Sequence, residues 1–137
     1  MRLILALAGS AIILMGCATT QRNKAPSEPI DVGPTPVCSS TDECQAMWAK
    51  ATTVLPMITG MRLAMMNDIY METYPAIRGV PLHAKATKNP LGNGKYEISA
   101  TITCRHSGVC GDLPENGLRL FNTSVNNAGL AFRPISK

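Results

Sequence analysis

Apolar and polar positions follow two different rhythms along this chain, and the change from one to the other marks out its elements. Behind Ser40-Thr41-Asp42-Glu43, the residues Cys44, Met47, Trp48, Ala51, Leu55 and Ile58 recur at helical spacing and form one apolar face. Ser40 is placed to cap this helix, and Glu43, three residues on, completes a capping box. Pro56 has no amide hydrogen and crowds the preceding turn, so the pattern predicts a kink there or an end near Leu55. Gly60 closes the segment. From Met61 the period shortens to two: Met61, Leu63 and Met65 share a face, Asn67-Asp68 fits a tight turn, and Ile69 to Tyr74 follows. Gly60 and the β-branched and aromatic residues of 69–74 favour a hairpin. Met, Ala and Leu also form helices well, so 61–74 as a helical extension is the alternative.

Residues 75–81, with Arg78-Gly79 inside, read as a loop. Leu82, Ala84 and Ala86 then alternate with His83, Lys85 and Thr87 in a half-exposed strand. Asn89 to Gly94 is dense in turn residues. The next strand is the clearest: Tyr96, Ile98, Ala100, Ile102 and Cys104 point one way, Glu97, Ser99, Thr101 and Thr103 the other. Asp112-Leu113-Pro114-Glu115 opens a second helix, with Asp112 as cap and Glu115 at its third position. Gly117, Leu118, Phe121, Val125 and Ala128 line one side of it, and Asn126-Asn127 with Gly129 end it. Strands with one apolar face need helices on that face and water on the other. The expected fold is therefore α+β: a two-layer domain, helix–four antiparallel strands–helix, with both helices on one face of the sheet.

The first residues follow neither rhythm. Met1-Arg2 is positive, Leu3 to Leu14 is an apolar run of about 12 residues where a spanning helix takes roughly 20, and the chain turns polar after Cys17. That order is a secretory signal rather than a membrane span. Its end, Leu14-Met15-Gly16-Cys17, resembles the lipobox of bacterial lipoproteins, with Met15 a departure from the usual small residue. The resemblance implies removal of residues 1–16, a diacylglyceryl group on the Cys17 sulfur and a further acyl chain on its new amine. Two or more acyl chains make a durable anchor, because each buried methylene contributes about 0.8 kcal/mol. Ala18 stands where Asp tends to mark inner-membrane retention, so the resemblance implies the outer membrane of a Gram-negative cell. The expected domain faces the periplasm, with exposure at the cell surface the alternative that the same signal allows. Residues 17–37 carry four prolines and few core-forming residues, the composition of a solvated tether. Residues 38–137 remain for one small domain with a modest core.

Composition narrows the function classes. The net charge of +4 is scattered rather than clustered, and aromatics are 4% of the chain, which argues against a nucleic-acid surface. Apart from Cys17 there are four cysteines, Cys38, Cys44, Cys104 and Cys110, an even number that in an exported domain reads as disulfides. Cys38–Cys44 and Cys104–Cys110 is the preferred pairing, each closing a short loop beside an element. A crossed pairing stays open. Cys104, His106 and Cys110 are also a candidate metal group, but five residues between the thiols exceed the spacing usual for structural zinc.

No catalytic constellation assembles from the sequence, and no cofactor is expected. His83 and His106, the two histidines, stand beside no nucleophile motif. His83 falls on the polar side of its strand and reads as solvent-exposed. Glu72 and Glu97 sit on strands where they could face each other as a carboxylate pair, the arrangement glycoside hydrolysis needs. Gly92-Asn93-Gly94 precedes no helix, so it reads as a hairpin turn rather than a phosphate loop. Among the methionines, Met47, Met61 and Met65 fit buried faces, whereas Met66 and Met71, beside Tyr70 and Tyr74, could form an exposed docking patch. The leading expectation is a non-catalytic lipoprotein, held by Cys17, that binds or scaffolds an envelope protein or peptidoglycan. The alternatives are an inhibitor of a foreign muramidase acting through loops 75–81 or 105–109, and an envelope hydrolase.

Overall fold

Alternation in the second half of the chain is realised as a long antiparallel hairpin, and everything else is arranged on it. The computed structural model describes residues 28–106 and 108–134. The signal 1–16, Cys17 and the tether up to residue 27 lie outside the described residues. In chain order the elements are β1 (Val37–Cys38), α1 (Thr41–Thr59), β2 (Leu63–Met66), β3 (Tyr70–Thr73), β4 (Leu82–Gly92), β5 (Lys95–Cys104) and α2 (Leu113–Gly129), followed by a 3₁₀ turn at Leu130–Phe132. The sheet order is β1-β5-β4-β3-β2, antiparallel throughout. The class is α+β as expected, with five strands among the described residues rather than four.

The extra strand comes from the presumed tether. Val37 and Cys38 pair with Glu97 and Tyr96, and the Ile98 amide donates to the Pro36 carbonyl. Pro36 is fully buried. Upstream, the side-chain amide of Asn122 donates to the Val32 carbonyl at 3.0 Å and that of Asn126 to the Pro34 carbonyl at 3.0 Å. Residues 32–37 therefore lie along α2 as a strap. Prolines there have no amide hydrogen to satisfy, and their carbonyls find partners in Asn126 for Pro34 and the Ile98 amide for Pro36.

Both helices cover one face. Met47, Ala51, Val54 and Leu55 of α1 and Phe121 and Val125 of α2 bury against Met71, Leu82, Ala84, Ala86, Ile98 and Ile102. Fully burying a large apolar side chain is worth about 1.5–3 kcal/mol. The helices approach each other closely at Gly117, where an added Cβ would lie 2.7 Å from Ile58 Cγ2. His83, Lys85, Thr87, Ser99, Thr101 and Thr103 occupy the opposite, wetter face.

Several local expectations are corrected. Pro56 does not end α1, which runs on to Thr59. A proline this near the helix end forfeits one bond, while Thr59 Oγ1 donates to the Leu55 carbonyl and the Gly60 amide to that of Pro56. Gly60 closes the helix at φ 70°, a left-handed conformation. The Ser40 hydroxyl accepts from the Glu43 amide as a cap should, but Glu43 reaches past Ser40 to the Ser39 amide and hydroxyl. Asp112 precedes α2 without a side-chain capping bond. Segment 61–74 is the hairpin β2–β3, not a helical extension. The turn expected over 89–94 shrinks to Asn93-Gly94, because β4 continues from Asn89 through Gly92. Pro90 is tolerated because β3 ends opposite Thr87, so no neighbour on that side needs its missing amide hydrogen.

Candidate functional site

At the end of the sheet nearest the β4–β5 turn, the core face is left uncovered by the helices. There Lys88 continues the Ala84–Ala86 row on β4, and Tyr96 occupies the matching side of β5. Parity in the strand thus forces a lysine onto the apolar face. Lys88 Nζ lies 5.5 Å from the centroid of the Trp48 ring and 5.8 Å from that of Tyr96. An ammonium over ring faces is attracted by their quadrupoles, about 0.5–1 kcal/mol at an exposed site. The indole N–H of Trp48 donates to the Asn67 carbonyl at 3.1 Å, which fixes the ring against the β2–β3 turn. Around these three residues opens a groove of about 920 Å³, with Ser40, Thr41, Gln45 and Thr52 of the α1 side on one rim and Asn67, Asp68 and Ile69 on the other. Lys88 has no ion-pair partner among the described residues. The groove therefore offers a hydroxyl- and amide-rich rim that also carries the Asp68 carboxylate, an aromatic floor and one cation.

A second polar cluster crosses β3, β4 and β5 on the opposite face. The Tyr70 hydroxyl donates to Glu72 Oε2 at 2.7 Å, Glu72 Oε1 lies 2.9 Å from His83 Nε2, and His83 Nδ1 lies 3.3 Å from Thr103 Oγ1. The Tyr70 bond, followed by that of His83, holds the Glu72 carboxyl below the usual carboxylate range. The same Glu72 contact raises the Tyr70 hydroxyl. His83 is therefore not simply solvent-exposed: its ring is half-buried and both nitrogens are engaged. The order carboxylate–imidazole–hydroxyl resembles a nucleophile relay. However, the Thr103 hydroxyl also donates to the backbone carbonyl of His83, and this stretch of β4 and β5 is paired in its ladder. The chain of bonds locks three strands together.

The remaining sequence candidates are placed as follows. Cys38 bonds to Cys44 and Cys104 to Cys110, with Cα separations of 5.1 and 6.1 Å. The preferred pairing is thus the one formed, and both thiols of the metal candidate are consumed. Among the described residues no group of three or more His, Cys, Asp or Glu converges on a metal position. Glu72 and Glu97 do not face each other: Glu72 shares a row with Lys85 and Thr101, Glu97 one with Asn89. Met47 and Met71 are buried, whereas Met65 and Met66 are both exposed. Met65 departs from the period-two reading because a bulge between Leu63 and Met65 shifts the register. Lys88 was hidden among scattered positives, although an even-numbered lysine in the Leu82-Ala84-Ala86 series is a signal the sequence carries.

The chain matches no family model, no curated protein and no solved structure.

Proposed function

We propose that this protein is a lipid-anchored, non-catalytic binding module of the Gram-negative outer membrane, its domain facing the periplasm and its ligand seated in the Trp48–Lys88–Tyr96 groove. The lipobox-like Leu14-Met15-Gly16-Cys17 supports the anchor. No helix of the described residues is long and apolar enough to cross a membrane. The strap at 32–37 belongs to the domain, so the proposed tether ends before Val32.

The observation that carries the binding reading is the cation laid across two rings at the floor of an open groove. A lysine with no carboxylate partner, aromatic faces and a polar rim suit a ligand that combines carboxylates with flat sugar faces. Peptidoglycan has both, in its stem peptides and its glycan strands. Cosedimentation with purified sacculi is the test. The wild-type chain should pellet with sacculi and Lys88→Glu should lose at least tenfold in affinity. Equal retention of the two proteins, or none of either, overturns the reading.

A second reading has its own observation. Loops 75–81 and 105–109 meet at the other end of the sheet, where the Arg105 amide donates to the Pro81 carbonyl. Each carries an exposed apolar residue, Ile77 at 53% and Val109 at 71%. Exposed apolar residues at that end support an inhibitory contact there. Protection of cells from an added muramidase, followed by turbidity and lost in Ile77→Asp, would favour it over the groove.

A further inference from the structure

The Trp48–Lys88–Tyr96 groove carries two charges of opposite sign that do not meet, Lys88 on its floor and Asp68 on its rim. They belong to adjoining segments, because the Lys88 amide donates at 2.8 Å to the carbonyl of Ile69, the residue after Asp68. Neither is ion-paired among the described residues, and Asp68 is exposed. Each nevertheless has a fixed setting. Lys88 lies over the Trp48 and Tyr96 rings. The turn bearing Asp68 is pinned at Asn67, whose Oδ1 accepts from the Ile69 and Tyr70 amides at 3.0 and 2.8 Å. The Asn67 carbonyl accepts in turn from the Trp48 indole. Two charges held on a preorganised frame, and paired with nothing in it, lower the ordering cost of a ligand that matches both.

We infer that the groove takes the zwitterionic head of an amino acid, its carboxylate on Lys88, its ammonium on Asp68 and its aliphatic arm along Trp48 and Ile69. A ligand with carboxylates alone would meet Asp68, and one with ammonium groups alone would meet Lys88. Like charges brought together in a contact oppose it, whereas a zwitterion satisfies both ends of the groove. The inference rests on the groove being the peptidoglycan site, and it narrows what is recognised there. Glycan strands carry no ammonium, because their amino groups are acetylated. The stem peptides do carry one, on the same carbon as a carboxylate, at the far end of the diaminopimelate side chain. A crosslink acylates that ammonium. The head that fits therefore belongs to stems whose diaminopimelate has not accepted a crosslink.

Cosedimentation of the whole membrane-extracted protein with sacculi, untreated or N-acetylated with acetic anhydride, is the test. Acetylation removes the free ammonium groups and leaves the carboxylates. The wild type should bind acetylated sacculi at least fivefold more weakly than untreated ones. The chain's net positive charge would by itself favour the acetylated, more anionic wall, so this fall cannot come from non-specific attraction. Asp68→Asn should bind untreated sacculi as weakly as the wild type binds acetylated ones, and acetylation should not weaken it further. Asp68→Glu should keep the preference, which separates loss of the carboxylate from loss of the fold. Wild-type binding unaltered by acetylation, with the Lys88→Glu loss intact, overturns this inference and leaves the groove as the peptidoglycan site. Undiminished binding by Asp68→Asn, or loss of the preference in Asp68→Glu, overturns it as well. A wild type that pellets with neither wall overturns both.

Discussion

Lys88 lies over Trp48, its Nζ 5.5 Å from the indole centroid, although strand alternation assigns its position to the core. A lysine on an apolar face is costly to keep unless it snorkels to water or is used. Its position therefore separates binding from stability. Lys88→Met retains the apolar stem and removes the charge, and should change stability by less than about 1 kcal/mol, the size of an exposed cation–π contact. It should still abolish retention on sacculi. Thermal unfolding and cosedimentation on the same preparation check this, and a parallel loss of both would make Lys88 merely structural.

Asn122 is 3% exposed and ties α2 to a carbonyl ninety positions earlier in the chain. Its Oδ1 is buried without a partner among the described residues, so the side chain is retained for what its amide donates. Asn122→Ala removes the donor and the unpaired oxygen together, which limits the cost to about 1 kcal/mol. The larger effect should be local. Limited proteolysis should cut within residues 28–36 faster than in the wild type, while fragments from 40–130 appear no sooner.

Glu43 is buried at the start of α1, where Arg133 Nε donates to Oε1 at 2.9 Å and Ser39 donates twice to Oε2. Burial by itself raises its pKa, but the bonds from Arg133 and Ser39 outweigh that and hold it below the ordinary range. A carboxyl lowered on folding stabilises above its unfolded pKa, about 4.3, and the contribution fades as pH falls through the folded value. Glu72 acts in the same direction. Urea unfolding should therefore show the full contribution of both groups, unvarying with pH, near neutrality, and stability falling below about pH 4. Glu43→Gln should cost about 1.5–3 kcal/mol at pH 7, the worth of hydrogen bonds to a charged group, and flatten the acid limb. An unchanged acid limb in that variant contradicts the assignment.

The helices, the β4–β5 hairpin and both disulfides were legible because each is written locally. Seven residues such as Cys38 to Cys44 close a loop without help from the rest of the chain. The five-residue spread of Tyr96 to Cys104 repeats at period two with no exception. What could not be read depends on distant partners. Strand β1 is two residues long and sits in a proline-rich segment, and it exists because Glu97 and Tyr96 present a free ladder edge. Nothing near Val32 announces Asn122. A bulge at Ala64 breaks the alternation and turns Met65 outward, while Met71 is drawn into the core by β4. The groove was partly legible, since parity alone puts Lys88 beside Tyr96. It needed the fold to bring Trp48 over them.

Attachment through Cys17 is the claim on which the envelope function stands, and the intact mass of the membrane-extracted protein, unreduced and treated with a thiol alkylator, tests it most directly. The account predicts a chain beginning at Cys17, carrying added acyl mass, with no alkylated thiol because Cys38–Cys44 and Cys104–Cys110 are closed. An unacylated chain that begins elsewhere would contradict it.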